Sequence, residues 1–94
     1  MDKLETLLKM TKDVIGITSD VRDSYLEQRV KATIDMLERE KNVKVDFDDF
    51  NHLLFIADYT AWQYKARDRD MAMPEHLQAR LRNIYIKGHT KIDV

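Results

Sequence analysis

A small all-α bundle of four helices is the fold this sequence predicts, and three observations point to it. The chain carries two glycines and one proline in 94 residues, too few punctuation residues for a many-stranded sheet with tight turns. Apolar residues recur along most of its length at helical spacing. Hydrophobic residues make up 44% and charged residues 35%, a balance outside the low-hydrophobicity regime of disordered chains. Residues 1–94 read as one domain, able to fold alone with little stability to spare, so a permanent partner would help it.

The first helix is expected to start after Asp2, an acceptable N-cap, with Leu4, Leu7 and Leu8 forming one apolar stripe, and to end near Val14 to Gly16. In the hinge that follows, Thr18, Ser19 or Asp20 is placed to cap a second helix, with Asp23 where acidic charge suits a helix N-terminus. That helix is expected to run to about Lys41, burying Leu26, Val30, Ile34 and Leu37, with Tyr25 and Met36 at the margins. Asn42 to Val45 breaks the period with two β-branched residues and reads as a short connector.

Asp46 is the expected cap of a third helix over about Phe47 to Arg67. Its Phe50, Leu53, Leu54, Ala57, Ala61 and Tyr64 make one face, while Phe55, Ile56, Tyr59 and Trp62 populate others. A helix apolar on more than one side is covered on more than one side, so this one is either central in the bundle or covered by another chain. After the charge-alternating link Arg67 to Asp70, Pro74 marks the start of a short fourth helix. Leu77, Leu81, Ile84 and Tyr85 are assigned to its core side, Gly88 to its end, and about residues 87–94 to a flexible polar tail.

Charge excludes some functions. Sixteen basic and seventeen acidic side chains give a net charge of −1, so no overall field would hold the protein on DNA or an anionic membrane. Residues 1–50 carry nine basic and twelve acidic groups and residues 51–94 seven and five, a modest positive bias in the second half. Without cysteine there are no disulfides, thiolate metal sites or cysteine nucleophiles. Neither a signal-peptide core nor an apolar run approaching the roughly 18 residues of a membrane span is seen. A soluble intracellular protein is the expectation.

Chemical equipment is sparse. His52, His76 and His89 lack metal-ligand spacing and read as surface histidines. The run Asp46-Phe-Asp-Asp-Phe-Asn51 begins like a calcium loop, but the glycine and glutamate such a loop needs are replaced by Asn51 and Ala57. Glu38 and Glu40 do not share a helix face, which removes a stacked-carboxylate metal site, and no glycine-rich phosphate loop occurs. Neither a catalytic group, a cofactor nor a metal is assigned. Arg80, Arg82, Lys87, His89 and Lys91, with Tyr85 interleaved, form the only basic concentration. That patch suits phosphates or acidic groups on a protein partner.

Three features together resemble a known family. They are the leucine-striped first helix leading to Tyr25-Leu-Glu-Gln-Arg-Val-Lys-Ala-Thr-Ile34, the aromatic run Ala57-Asp-Tyr-Thr-Ala-Trp-Gln-Tyr64, and the close Met73-Pro-Glu-His-Leu-Gln-Ala-Arg-Leu-Arg-Asn-Ile-Tyr-Ile86. The chain resembles the small head-tail connector, or head-completion, proteins of tailed bacteriophages and prophages, over nearly its whole length. The resemblance implies a structural role in the virion, after assembly in the host cytoplasm. About a dozen copies would form a ring beneath the portal protein, extend the DNA channel and present a surface to a tail or stopper protein. DNA would pass without sequence-specific binding, which near-neutral charge suits.

Within that reading Tyr59, Trp62, Tyr64 and Arg67 are the expected interface residues, since aromatics and arginine dominate hot spots. Arg80, Arg82 and Lys87 are expected at inter-subunit ion pairs or at the portal. The alternative is a small DNA-binding or packaging-associated regulator that uses the basic C-terminal helix.

Overall fold

The computed structural model describes residues 3–67 and 72–90, the last three as backbone only. Four helices follow in order: α1 (Lys3–Ile15), α2 (Asp23–Arg39), α3 (Phe50–Lys65) and α4 (Glu75–Thr90). No strand occurs among the described residues, so the four-helix, all-α expectation is met. The helices α1, α2 and α3 pack on one another, whereas α4 packs on α3 alone. The molecule is correspondingly flat, with principal extents of 47 × 35 × 19 Å.

Each boundary has a local cause. At the end of α1 Gly16 takes φ 91°, and the Gly16 and Ile17 amides both donate to the Lys12 carbonyl. This glycine-closed turn satisfies an end-of-helix carbonyl that would otherwise be orphaned. The start of α2 differs from expectation. It falls at Asp23, after Arg22, with no side-chain cap. Ser19 Oγ instead accepts from the Val21 amide, and the Asp20 carbonyl accepts from Asp23 N–H. The carboxylates of Asp20 and Asp23 are drawn to Lys12 Nζ, at 3.2 and 2.8 Å.

α2 ends at Arg39, two residues before the expected Lys41. Asn42 adopts φ 54°, a left-handed conformation asparagine tolerates, and the chain reverses so that Val43 N–H reaches the Leu37 carbonyl. Val43 and Val45 are both buried, which anchors the connector to the core at alternate positions. Asp49, not Asp46, caps α3; its carboxylate accepts from Asn51 N–H at 2.9 Å. Asp46 caps the preceding turn, accepting from Asp48 N–H at 2.9 Å.

The core is centred on α3. Leu53, Phe55, Ile56, Ala57, Thr60 and Ala61 are all buried, and the first three cluster with Leu7 of α1, Val30 and Leu37 of α2, the two connector valines, and Leu77 of α4. Of the two explanations for its wide apolar perimeter, centrality within the chain therefore covers these residues. Fully burying each large side chain contributes roughly 1.5–3 kcal/mol.

The buried hydroxyls have partners. Thr11 Oγ1 donates to the Leu7 carbonyl, and Thr33 Oγ1 donates to the Arg29 carbonyl. Because Thr33 has only that one proton, Thr60 must be the donor in the 3.1 Å Thr33–Thr60 contact joining α2 to α3.

Two expectations fail at the edges. Phe50 is in phase with the apolar face of α3 but is 63% exposed. It is the first helical residue, and side chains lean towards a helix N-terminus, which here carries it past the neighbouring helices. Gly88 does not end α4, whose backbone runs through it to Thr90, so a tail beginning at residue 87 is corrected. Intrahelical hydrogen bonding outweighs the modest cost of one glycine. Residues 91–94 lie outside the described residues.

Candidate functional site

The seven interface candidates fall in three places. Tyr59 and Trp62 pack against the core from α3, Tyr59 with its ring 5.8 Å from Phe55 and 5.7 Å from Trp62. The Tyr59 hydroxyl accepts from Gln63 Nε2 at 3.4 Å, and Gln63 Oε1 accepts from Arg29 at 2.8 Å. Burial raises the Tyr59 pKa, a shift that Arg29 opposes and Glu40 assists. Trp62 Nε1 is buried with no hydrogen-bond partner among the described residues.

At the far end of α3, Tyr64 lies 6.1 Å from the ring of Tyr25 on α2, with the Arg67 guanidinium 4.1 Å above its centroid. Arg67 also donates to the Tyr64 carbonyl, closing the last turn of its own helix. Arg80 is engaged internally as well. It meets Asp58 of α3 at 2.7 Å and lies 5.7 Å from the centroid of the Phe55 ring. Only Arg82 and Lys87 of the seven stand on the exposed distal half of α4.

That half of α4 forms one wall of a groove whose other wall is the connector before α3. The groove has a volume of about 1000 Å³. Val45, Phe47 and Ile84 supply its apolar surface; Asp46, Asp48 and Asp49 give one acidic rim, and Arg80 and Lys87 stand on the α4 side. His52 holds the connector in place: its Nδ1 accepts from Asp46 N–H at 3.0 Å, and Nε2 lies 3.7 Å from Asp49 Oδ2. An accepting Nδ1 places the ring proton of a neutral imidazole on Nε2, beside that carboxylate.

Proline positions the other wall. The Pro74 carbonyl accepts from the Leu77 and Gln78 amides, and Glu75 follows in the first turn, where its charge complements the dipole. Leu77 is then buried, and Leu81 and Ile84 pack against the core, fixing α4 on α3. Tyr85, assigned to that inner side from the sequence, is 41% exposed, as is Ile86 at 47%.

The groove was legible only in fragments. Its acidic rim is the same Asp46 to Asn51 run that begins like a calcium loop, but nothing in the sequence places that run opposite α4. Among the described residues no group of three His, Asp or Glu side chains is set to hold a metal ion, and none of the helices is long and apolar enough to cross a membrane. Compared with protein-family models, curated proteins and solved structures, the chain gives no match.

Proposed function

We propose that this chain is a structural connector subunit of the tailed-bacteriophage head-completion type, assembling as a ring of about a dozen copies beneath a portal protein. One observation carries the reading beyond the sequence resemblance. The proline-led helix that bears the resemblance is secured from inside by Leu77, Leu81, Ile84 and the Arg80–Asp58 pair. Its other side presents Arg82, Tyr85 and Ile86 to solvent. A helix fixed on one side and furnished with aromatic, aliphatic and arginine groups on the other has the composition of an interface element.

DNA in such an assembly passes through the channel, and tail or stopper proteins meet the lower surface. The alternative, a DNA-binding regulator, would rely on the same exposed Arg82 and Lys87. Asp46, Asp48 and Asp49 line the same groove as Lys87 and would repel phosphates there.

Co-purification with a portal ring followed by electron microscopy tests the proposal. A ring of added density below the portal is the expected outcome, and a bare portal at saturating chain concentration removes it. A duplex-binding assay at low salt tests the alternative, which predicts affinity falling steeply as salt rises.

A further inference from the structure

We propose that the groove between the connector and α4 receives the outer face of α4 from a second copy of this chain, so that copies join head to tail. This rests on the oligomeric reading above and names the two surfaces through which copies meet.

Helix geometry separates the two surfaces. Successive residues of an α-helix turn by about 100°, so positions two apart point in nearly opposite directions. Arg80 and Ile84 face the groove, which places Arg82 and Ile86 on the opposite side of α4. Tyr85 flanks them and is 41% exposed, and Ile86 is 47% exposed. This outer face therefore offers a cation and two large apolar groups.

The groove offers the complement. Its acidic rim of Asp46, Asp48 and Asp49 suits Arg82, and Val45, Phe47 and Ile84 give apolar surface for Tyr85 and Ile86. At about 1000 Å³ it stands at the upper end of the range of about 300–1000 Å³ typical of binding clefts. Asp48 is open to such a contact: its side chain is 88% exposed and its only described ion pair is a 3.4 Å contact with the exposed Lys3. Three cations line the groove: Arg80 is matched internally by Asp58, while Lys44 and Lys87 stand beside the three carboxylates of the rim, which leaves the incoming Arg82 to the exposed Asp48. Phe50, 63% exposed and next to Asp49, would be shielded at the edge of the same contact.

Because groove and outer face are different patches on opposite sides of one helix, a copy that fills a neighbour's groove leaves its own groove open. Such heterologous contacts build rings or open chains, not two-fold dimers.

Two variants, each with one surface disabled, test this. Arg82→Glu with Ile86→Gln blocks the outer face; Asp46→Asn with Asp48→Lys blocks the groove while keeping the turn acceptor at position 46. All four positions are exposed or at the surface, and circular dichroism checks that both variants keep the wild-type helix content. Sedimentation equilibrium up to about 1 mM is then run on the wild type, each variant and their mixture.

The expected result is wild-type association beyond a dimer, loss of self-association by at least ~tenfold in each variant, and a mixture that stops at a one-to-one pair. Raising the salt should weaken wild-type association. Variants that associate like wild type would place the contact elsewhere and overturn the inference, leaving the connector reading to the portal experiment. A wild type that stops at a dimer, or that stays monomeric throughout, also overturns it. A bare portal with intact head-to-tail association would instead remove the connector reading alone.

Discussion

The helices α3 and α4 are each 16 residues long, yet their surroundings differ. α3 is packed by all three other helices and buries residues on several sides, including Phe55, Ile56 and Ala57, each fully inaccessible. Among the described helices α4 touches only α3, and among its described side chains Leu77 alone is buried. A helix of this length is marginal in isolation, so α4 keeps its shape through one line of contacts while α3 is fixed from several directions. The difference divides the molecule into a three-helix body that determines the fold and a peripheral helix whose outer surface remains available.

Substitutions in the two regions should separate them, beginning with the largest effect. Phe55→Ala removes the largest fully buried side chain and is expected to cost about 3–5 kcal/mol, seen as loss of the whole cooperative transition in denaturant. Leu77→Ala should cost less, about 2–4 kcal/mol, and act differently. α4 amides should exchange faster while those of α1 to α3 keep most of their protection, since α1, α2 and α3 also pack on one another. Equal loss of protection in all four helices would mean that the two regions fold as one unit.

The buried hydroxyl chain sharpens the account of the body. Thr33→Val leaves the Thr60 hydroxyl without its acceptor, a cost of about 1–3 kcal/mol, while Thr60→Val leaves Thr33 still bonded to the Arg29 carbonyl and should cost under about 1 kcal/mol. Reversed ordering in urea unfolding would overturn the assigned donor direction. At the junction with α4, Asp58→Ala should cost only about 0.5–1 kcal/mol, because both partners of the Arg80–Asp58 pair are about one-third exposed.

Much of this organisation is legible in residue spacing. The four helices, the Gly16 stop and the inner positions Leu77, Leu81 and Ile84 follow from periodicity and local backbone preference. Phe50 and Tyr85 do not, because a helical stripe says which residues share a face and not how far along the helix a neighbour reaches. Asp46 and Asp49 compete for the same capping role, and the outcome depends on the buried Val43 and Val45, which set how far the connector travels before α3 can begin. The groove is harder still: its walls are separated by all of α3, so only the packing of α4 brings them together.

The smallest expected effect is alkaline. Asp23, and then Asp20, hold the Lys12 ammonium charged above its ordinary range, against the opposing cost of burial; Tyr59 is shifted upward mainly by burial. Both folded-state values are raised, so the associated stability is complete below about pH 10 and declines as pH rises through them. Thermal unfolding followed from pH 8 to 11 should show a falling midpoint in the upper part of that range, with a shallower fall in Lys12→Met. These groups belong to the body, and α4 should follow it passively.

Hydrogen exchange of the chain alone and bound to a portal ring tests the division between body and peripheral helix most directly. New protection concentrated in residues 46–50 and 78–87, with the outer surfaces of α1 and α2 unchanged, is the predicted result. Protection gained on α1 and α2 while the groove and α4 exchange as in the free chain would contradict it.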